Sequence, residues 1–480
     1  MAVNKVEVDG ETKLDLTADT VTPETLLKGA TAHNAAGEAI VGSIIMPTYA
    51  LVVKTSPSSA ITVTKGSKTF SGTADASGEC TFSLPEAGTW YISATLDGHT
   101  SEGNVFLKSS YDIDVPIIVA KIFGVCWNYG SSSTALTRLT AANDPNGLVN
   151  TSITTDPSPA VGTGSGSSPF DSYMPWKGME EYNIISNAVS YKKGETGFSR
   201  TSNDTVVYIP EFYYKIVDDA TNSKRYFYIA DSEMTGFAKH PGSGRYVGKY
   251  HTITGYYSKS GSQPLTGITR ATARTNSKAK GSKWTQYDFA TYSAIVLLYL
   301  IEFADWNSQS KIGQGCGPDS KVNNGGCDSM NYHTGTSASS RTTVGPVQYR
   351  NIEGLWSNVF DWVDGINMTE RSVYICTTPA NFADNTTKNY TATGITLPSN
   401  GYIKAMGYSS AAAWAMIPSA NGGSETTYVP DYVYSNSGWR VLLVGGFYAS
   451  TAYFGLMYFY ANYDSSRSSD GTGARLLFIP

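Results

Sequence analysis

The sequence predicts an α+β, β-rich protein built from more than one domain. Three observations carry that expectation. A chain of 480 residues is too long for one ordinary core. Charged residues make up only 16 % of it, while Gly (47) and Tyr (33) are over-used, a balance that suits turn-rich sheets with polar-aromatic surfaces rather than a coiled coil or a disordered chain. Alternating apolar and polar runs separated by Gly, Ser, Pro and Asp recur along most of the sequence, and one segment alone has a strong helical period.

Residues 1–45 form a candidate N-terminal module for attachment or oligomerisation. Thr22-Pro23-Glu24 reads as an N-cap, a first-turn proline and an early carboxylate, so a short helix ending at Gly29 is expected, then a turn over Asn34 to Gly37. Residues 47–119 read as a small β-sandwich acting as a spacer, with runs Tyr49–Val53, Ala60–Val63, Cys80–Leu84 and Thr89–Ser93. From 121 the texture changes to polar Gly/Ser loops between aromatic runs such as Val206–Ile209 and Arg225–Ile229. Thr285 with Asp288 resembles a capping box. After it Phe289, Tyr292, Val296, Tyr299, Leu300 and Phe303 recur at helical spacing, predicting a core helix against a sheet.

Several chemistries find no support. Net charge is −5, and Lys and Arg are scattered, so no nucleic-acid partner is expected. The N-terminus lacks a secretory pattern, and the apolar stretch Phe289–Phe303 is too short to span a bilayer, so no membrane insertion is expected. His33, His99, His240, His251 and His333 lie in different segments, and neither HExxH, GxSxG nor a phosphate-binding loop occurs. Cys80, Cys126, Cys316, Cys327 and Cys376 form neither a disulfide framework nor a zinc pattern. Cys316 and Cys327 flank a Gly/Asn-rich loop, where free thiols are favoured over a pair. Asp361 and Asp364 are the most catalytic-looking carboxylates, but a turn-capping or Ca²⁺-ligating role fits them better than acid–base work. No cofactor is expected; a structural Ca²⁺ stays open, with no ligands assigned.

Asn358-Val359-Phe360-Asp361-Trp362-Val363-Asp364-Gly365, Gly438-Trp439-Arg440-Val441 through Gly446, and Gly473-Ala474-Arg475-Leu476 follow one another in an order that resembles the formylglycine-generating-enzyme type of C-type-lectin-like fold. The resemblance implies such a domain over 121–480. It implies no enzyme, because that family's oxidative chemistry uses cysteines late in the fold and none follows Cys376 here. The ending WRVLLVGG…GLMY…GARLLFIP more closely resembles the variable proteins of diversity-generating retroelements, which include phage tail-fibre receptor-binding proteins of the major-tropism-determinant kind. In such systems template adenines are randomised, mostly in Asn codons, and Lys, Gln, Glu, Met and Trp cannot result. Met457 sits inside the framework word GLMY, where no diversification is expected, and the other four are absent between Phe447 and Gly473.

That resemblance implies a variable region at about 440–478 displayed on a constant scaffold. Phe447, Tyr448, Tyr453, Tyr460 and Tyr463 are the candidate anchors, and Ala449, Ser450, Asn462, Arg467 and Ser469 would tune the fit. Tyr offers rigid amphipathic contact area at low entropic cost, and Ser, Gly and Asn offer adaptable hydrogen bonds. Tyr460 and Tyr463 are expected exposed; Leu456, Tyr458 and Phe459, beside Gly455, are expected in the core. The implied role is a receptor-binding adhesin in the virion tail, made without a signal peptide and released by lysis. Its implied partners are a host-surface protein or glycan, other tail proteins, and copies of itself, with a trimer favoured for avidity. An oxidative enzyme of the formylglycine-generating class and a purely structural tail component are the alternatives.

Overall fold

The computed structural model describes residues 3–45, 48–96, 99–108, 113–116, 120–317, 320–449 and 454–480. With 38 % strand and 10 % helix, sheets make up most of the architecture. The chain divides into two compact units, Met1–Val119 and Ala120–Pro480.

In the first unit, Lys5–Val8 pairs with Glu11–Asp15, and Thr31–His33 with Ala39–Val41. The turn expected over Asn34 to Gly37 is present, with the Asn34 side-chain oxygen accepting from the backbone of Ala36 and Glu38. The helix expected after Thr22 is not. Only a single 3₁₀ turn, Pro23–Thr25, forms. Beyond it the backbone of Lys28 and Leu26 pairs with Ile44, and a helix this short cannot compete with such cross-chain bonds. The second half of the unit has two sheets around one core. One runs in the order His99–Leu107, Gly88–Leu96, Ala60–Lys65, Lys68–Thr73, and the other Ile113–Pro116, Tyr49–Lys54, Glu79–Leu84. Alternation turns Leu51, Val53, Ile61, Val63, Leu84, Trp90 and Ile92 inward.

The second unit is organised around the helix Phe289–Phe303. Its N-cap is Asp288, whose carboxylate accepts from the Thr291 backbone N–H at 2.8 Å. Thr285 instead lies in the strand Trp284–Gln286, paired with Leu477, so the expected capping box is replaced by Asp288 acting alone. All fifteen helical residues are buried. The apolar stripe seen in the sequence therefore understates the packing: the helix is enclosed on every side, and its polar members other than the Tyr299 hydroxyl find partners. Glu302 is matched by Arg350 and by the hydroxyls of Ser168 and Tyr349. No helix among the described residues is long and apolar enough to cross a membrane.

Two sheets of this unit position the C-terminal segment. A nine-stranded sheet runs Thr391–Thr396, Ser372–Ile375, Phe360–Thr369, Arg440–Val444, Phe459–Ala461, Val429–Ser435, Gly401–Met406, Pro418–Asn421, with Thr472–Gly473 added parallel to Phe360–Thr369. A six-stranded sheet inserts Leu476–Phe478 between Arg245–Gly248 and Trp284–Gln286. The last residues thus stitch two sheets together, and the strand Phe360–Thr369 is buried on both faces, with its register shifted beyond Val363. Phe360 and Trp362 face an aromatic cluster, while Val363 and Ile366 face the main core.

Candidate functional site

The segment from Arg440 to Gly473 is held at its ends and its middle by residues that do not belong to its displayed surface. At the first end, Arg440–Val444 is an interior strand. Gly445 (φ 82) and Gly446 (φ 74) then turn the chain out of the sheet, and a Cβ on Gly446 would strike the Phe454 ring. In the middle, the loop before Phe459–Ala461 is fixed through its backbone. Asp431 accepts from the N–H of Gly455 (2.6 Å) and Met457 (2.8 Å), and Ser308 Oγ accepts from the N–H of Leu456 (2.9 Å). Tyr292 Oη donates to the Leu456 carbonyl at 3.1 Å, and Gln309 to that of Phe454 at 2.8 Å. Gly455 has no room for a side chain between Ser308 and Asp431.

At the far end the anchor is Arg475, fully buried. Its guanidinium donates to Asp361 Oδ2 (3.0 Å), to the carbonyls of Gly248 and Lys249 (2.9 Å each), and to those of Glu353 (2.9 Å) and Gly354 (3.1 Å). His251 Nδ1 lies 3.0 Å from the other Asp361 oxygen. Burial works against a charged Asp361, but Arg475 and His251 outweigh it and hold its pKa below the ordinary carboxylate value. Asp364 is gripped by Arg274 at 2.5 and 3.0 Å and also accepts from the Gly365 N–H. These two carboxylates are therefore arginine partners. Of the turn-capping role, the Asp364–Gly365 contact is present. Among the described residues no group of three or more His, Cys, Asp or Glu is placed to hold a metal.

The displayed side chains meet in one aromatic cluster on the outer face of the nine-stranded sheet. Tyr460 is half-buried. Its ring lies 5.3 Å from Phe360, 5.1 Å from Tyr434 and 4.9 Å from Tyr463. Burial, with the neighbouring Tyr463, raises its pKa. Tyr463 is half-buried too, and Arg467, exposed, stands 4.7 Å over its ring. The expected exposure of the two tyrosines is thus corrected to partial burial, because the cross-strand ring of Tyr434 covers one side of Tyr460, and the Tyr460 ring and the Arg467 side chain cover Tyr463. Asn462 donates to Tyr460 Oη and accepts from Asn436, both at 3.3 Å. A depression of ≈ 450 Å³ beside this group is lined by Arg440, Asn462, Tyr463, Asp464, Ser466 and Arg467.

Phe447 is more a packing residue than the free anchor expected, since its ring stacks on Phe360 at 5.3 Å and 25°. Tyr448 is half-buried against it, with Oη 3.3 Å from Asp470, and Ala449 is exposed. Ser469 is committed to a turn, its N–H donating to Thr472 Oγ1 (3.0 Å) and its carbonyl accepting from Gly267 (2.9 Å). That leaves its backbone little freedom to tune anything. Ser450 and Tyr453 lie outside the described residues. Leu456, Tyr458 and Phe459 are buried, as their place beside Gly455 predicts. Sequence reasoning missed Tyr402, Tyr432 and Tyr434, which join the same cluster from strands preceding the segment. The alternation in Val429–Ser435 was the signal that could have found two of them.

The thiols are remote from this surface in character. All five cysteines are free, and burial raises the pKa of Cys316 (to about 12), Cys327, Cys126 and Cys376. Compared with known proteins, the chain matches no protein-family model and no curated protein.

Proposed function

We propose that this chain is a non-enzymatic receptor-binding protein of a phage tail, carrying a C-type-lectin-like scaffold whose C-terminal segment is a diversified display. The observation that carries the reading is a division of labour. Backbone position is set by Asp431, Ser308, Tyr292, Gln309 and Arg475, none of them on the aromatic-polar surface. Side chains at Ala449, Tyr460, Asn462, Tyr463 and Arg467 line that surface without fixing the backbone around them, so replacing them leaves those anchors in place. Such an arrangement suits binding, since rigid tyrosines give contact area and Asn, Ser and Arg give adaptable polar contacts. It offers little to acid–base or thiol chemistry: the paired-looking carboxylates are neutralised by arginines, and burial disfavours thiolates. A homotrimer in the virion would multiply weak single sites by avidity.

Two tests bear on this. Sequencing the encoding locus is expected to find a near-copy of the DNA for residues 440–478, differing at adenines, next to a reverse-transcriptase gene. Tyr463→Ala and Arg467→Ala are expected to weaken binding of the full-length protein to bacterial cells about tenfold or more, with little change in melting temperature. Unchanged binding by both variants to every strain that captures the parent protein would refute the display.

A further inference from the structure

We infer that the binding site extends beyond the diversified segment onto three fixed tyrosines, Tyr402, Tyr432 and Tyr434, and that its ligand is a linear, uncharged glycan chain lying across the strands. This inference rests on the reading above and assigns that site its ligand class.

The geometry comes from register. In Val429–Ser435 period two sends Asp431 and Val433 inward and leaves Tyr432 and Tyr434 half-buried on the outer face. Tyr432 is the register partner of Tyr402 on one neighbouring strand, and Tyr434 that of Tyr460 on the other. The rings consequently form an unbroken series. Tyr402 to Tyr432 is 5.2 Å, Tyr432 to Tyr434 4.6 Å, Tyr434 to Tyr460 5.1 Å and Tyr460 to Tyr463 4.9 Å. Interplanar angles between 37° and 69° lock each ring against the next. Two of the five rings belong to the segment proposed to vary, and three belong to the scaffold that carries it.

Ligand class follows from what borders the strip. The hot spots of protein interfaces cluster in well-packed, desolvated pockets, and the depression at the Tyr463 end is of a different kind. It is ringed by Arg440, Asn462, Asp464, Ser466 and Arg467, with Asn436 linked to Asn462 alongside. Planar amide, guanidinium and carboxylate groups match vicinal hydroxyls, and tyrosine faces match the C–H faces of pyranose rings. The ring spacing is comparable to the advance per sugar in an extended chain. Arg440 and Arg467 beside Asp464 leave the rim a single net positive charge, and the tyrosine strip itself carries none, so the bulk of the ligand is read without charge. Fixed rings would hold the chain while the varied end reads the identity of one terminal unit.

The test is isothermal titration of the full-length protein with gluco-, manno- and N-acetylglucosamine oligosaccharides, from monosaccharide to hexasaccharide. At least one series is expected to bind with affinity rising with length up to about the strip's span. In that series Tyr432→Ser and Tyr402→Ser should each lose about tenfold or more and flatten the length dependence, while Tyr432→Phe restores binding. Thermal melts of the Phe and Ser variants separate lost contact from lost folding. The inference is overturned if no series binds, if affinity is independent of length, or if the folded Ser variants bind as the parent does. Cell binding distinguishes the two levels. Loss on Tyr463→Ala with full retention on Tyr432→Ser, and no competition by any oligosaccharide, sinks the glycan strip and leaves the display standing. Indifference to all these variants sinks both.

Discussion

Asp431 is a carboxylate sealed under the displayed loop, and neutralising it by Asp431→Asn gives a prediction whose sign can be worked out. Among the interactions described, it accepts two backbone N–H groups and has no cationic partner. Burial raises its pKa to about 7, the bonds from Met457 and Gly455 pulling only partly the other way. The ordinary value is 3.8, so the folded protein binds this proton more tightly than the unfolded chain. Below about pH 3.8 both states are protonated and the group has no effect on stability. As pH rises toward 7 the unfolded state ionises first and stability falls. The full loss, present above 7, is about 4 kcal/mol for roughly three units at ~1.4 kcal/mol each. Asn removes this dependence but turns an NH₂ toward one of the two N–H groups, leaving it unsatisfied at about 1–3 kcal/mol.

Denaturant unfolding of both proteins from pH 4.5 to 8 reads the difference and cancels groups common to both. The parent is expected to be the more stable at low pH, with its advantage shrinking or reversing by pH 8. A difference that stays constant across that range would refute a buried, uncompensated carboxylate beneath the loop.

Arg475→Met should destabilise the second unit by about 3–5 kcal/mol, because it strands the Asp361 charge and four backbone carbonyls in the interior; a loss below about 1 kcal/mol in denaturant unfolding would contradict its role as an anchor. Ellman's reagent at pH 8 should titrate only the half-buried Cys80 quickly in the native protein, the four buried thiols reacting after denaturant is added. A second fast thiol would count against the packing around Cys316 and Cys327.

Local pattern made the two-sheet half of the first unit and the core helix legible. Alternation in Tyr49–Lys54, Ala60–Lys65, Glu79–Leu84 and Gly88–Leu96 is strong because one face of each strand is wet. Lys68–Thr73 escaped notice because its one aromatic, Phe70, is surrounded by Lys, Thr, Ser and Gly. The N-cap of Phe289–Phe303 lies three residues beyond Thr285, since Thr285 and Asp288 are both good caps and only the pairing of Thr285 with Leu477 decides between them. Where long-range partners fix a role, the sequence is silent. Nothing local distinguishes an Asp361 that grips Arg475, 114 residues away, from a calcium ligand.

The same limit explains why sequence alone points to a smaller site than the inferred one. Composition marks Phe447 to Ser469 because tyrosines crowd there among small polar residues, whereas Tyr402, Tyr432 and Tyr434 are spread over two strands whose adjacency exists only after folding. If the segment varies as proposed, it cannot also carry the register of its sheet, since a slip of one residue would send every tyrosine of a strand to the opposite face. That register is set from beneath, by Asp431 and Val433 pointing inward on the very strand whose outer face bears Tyr432 and Tyr434. The strand which fixes the loop is therefore also the strand best placed to supply a constant half of the site, and tolerance of change in one part follows from rigidity in the other.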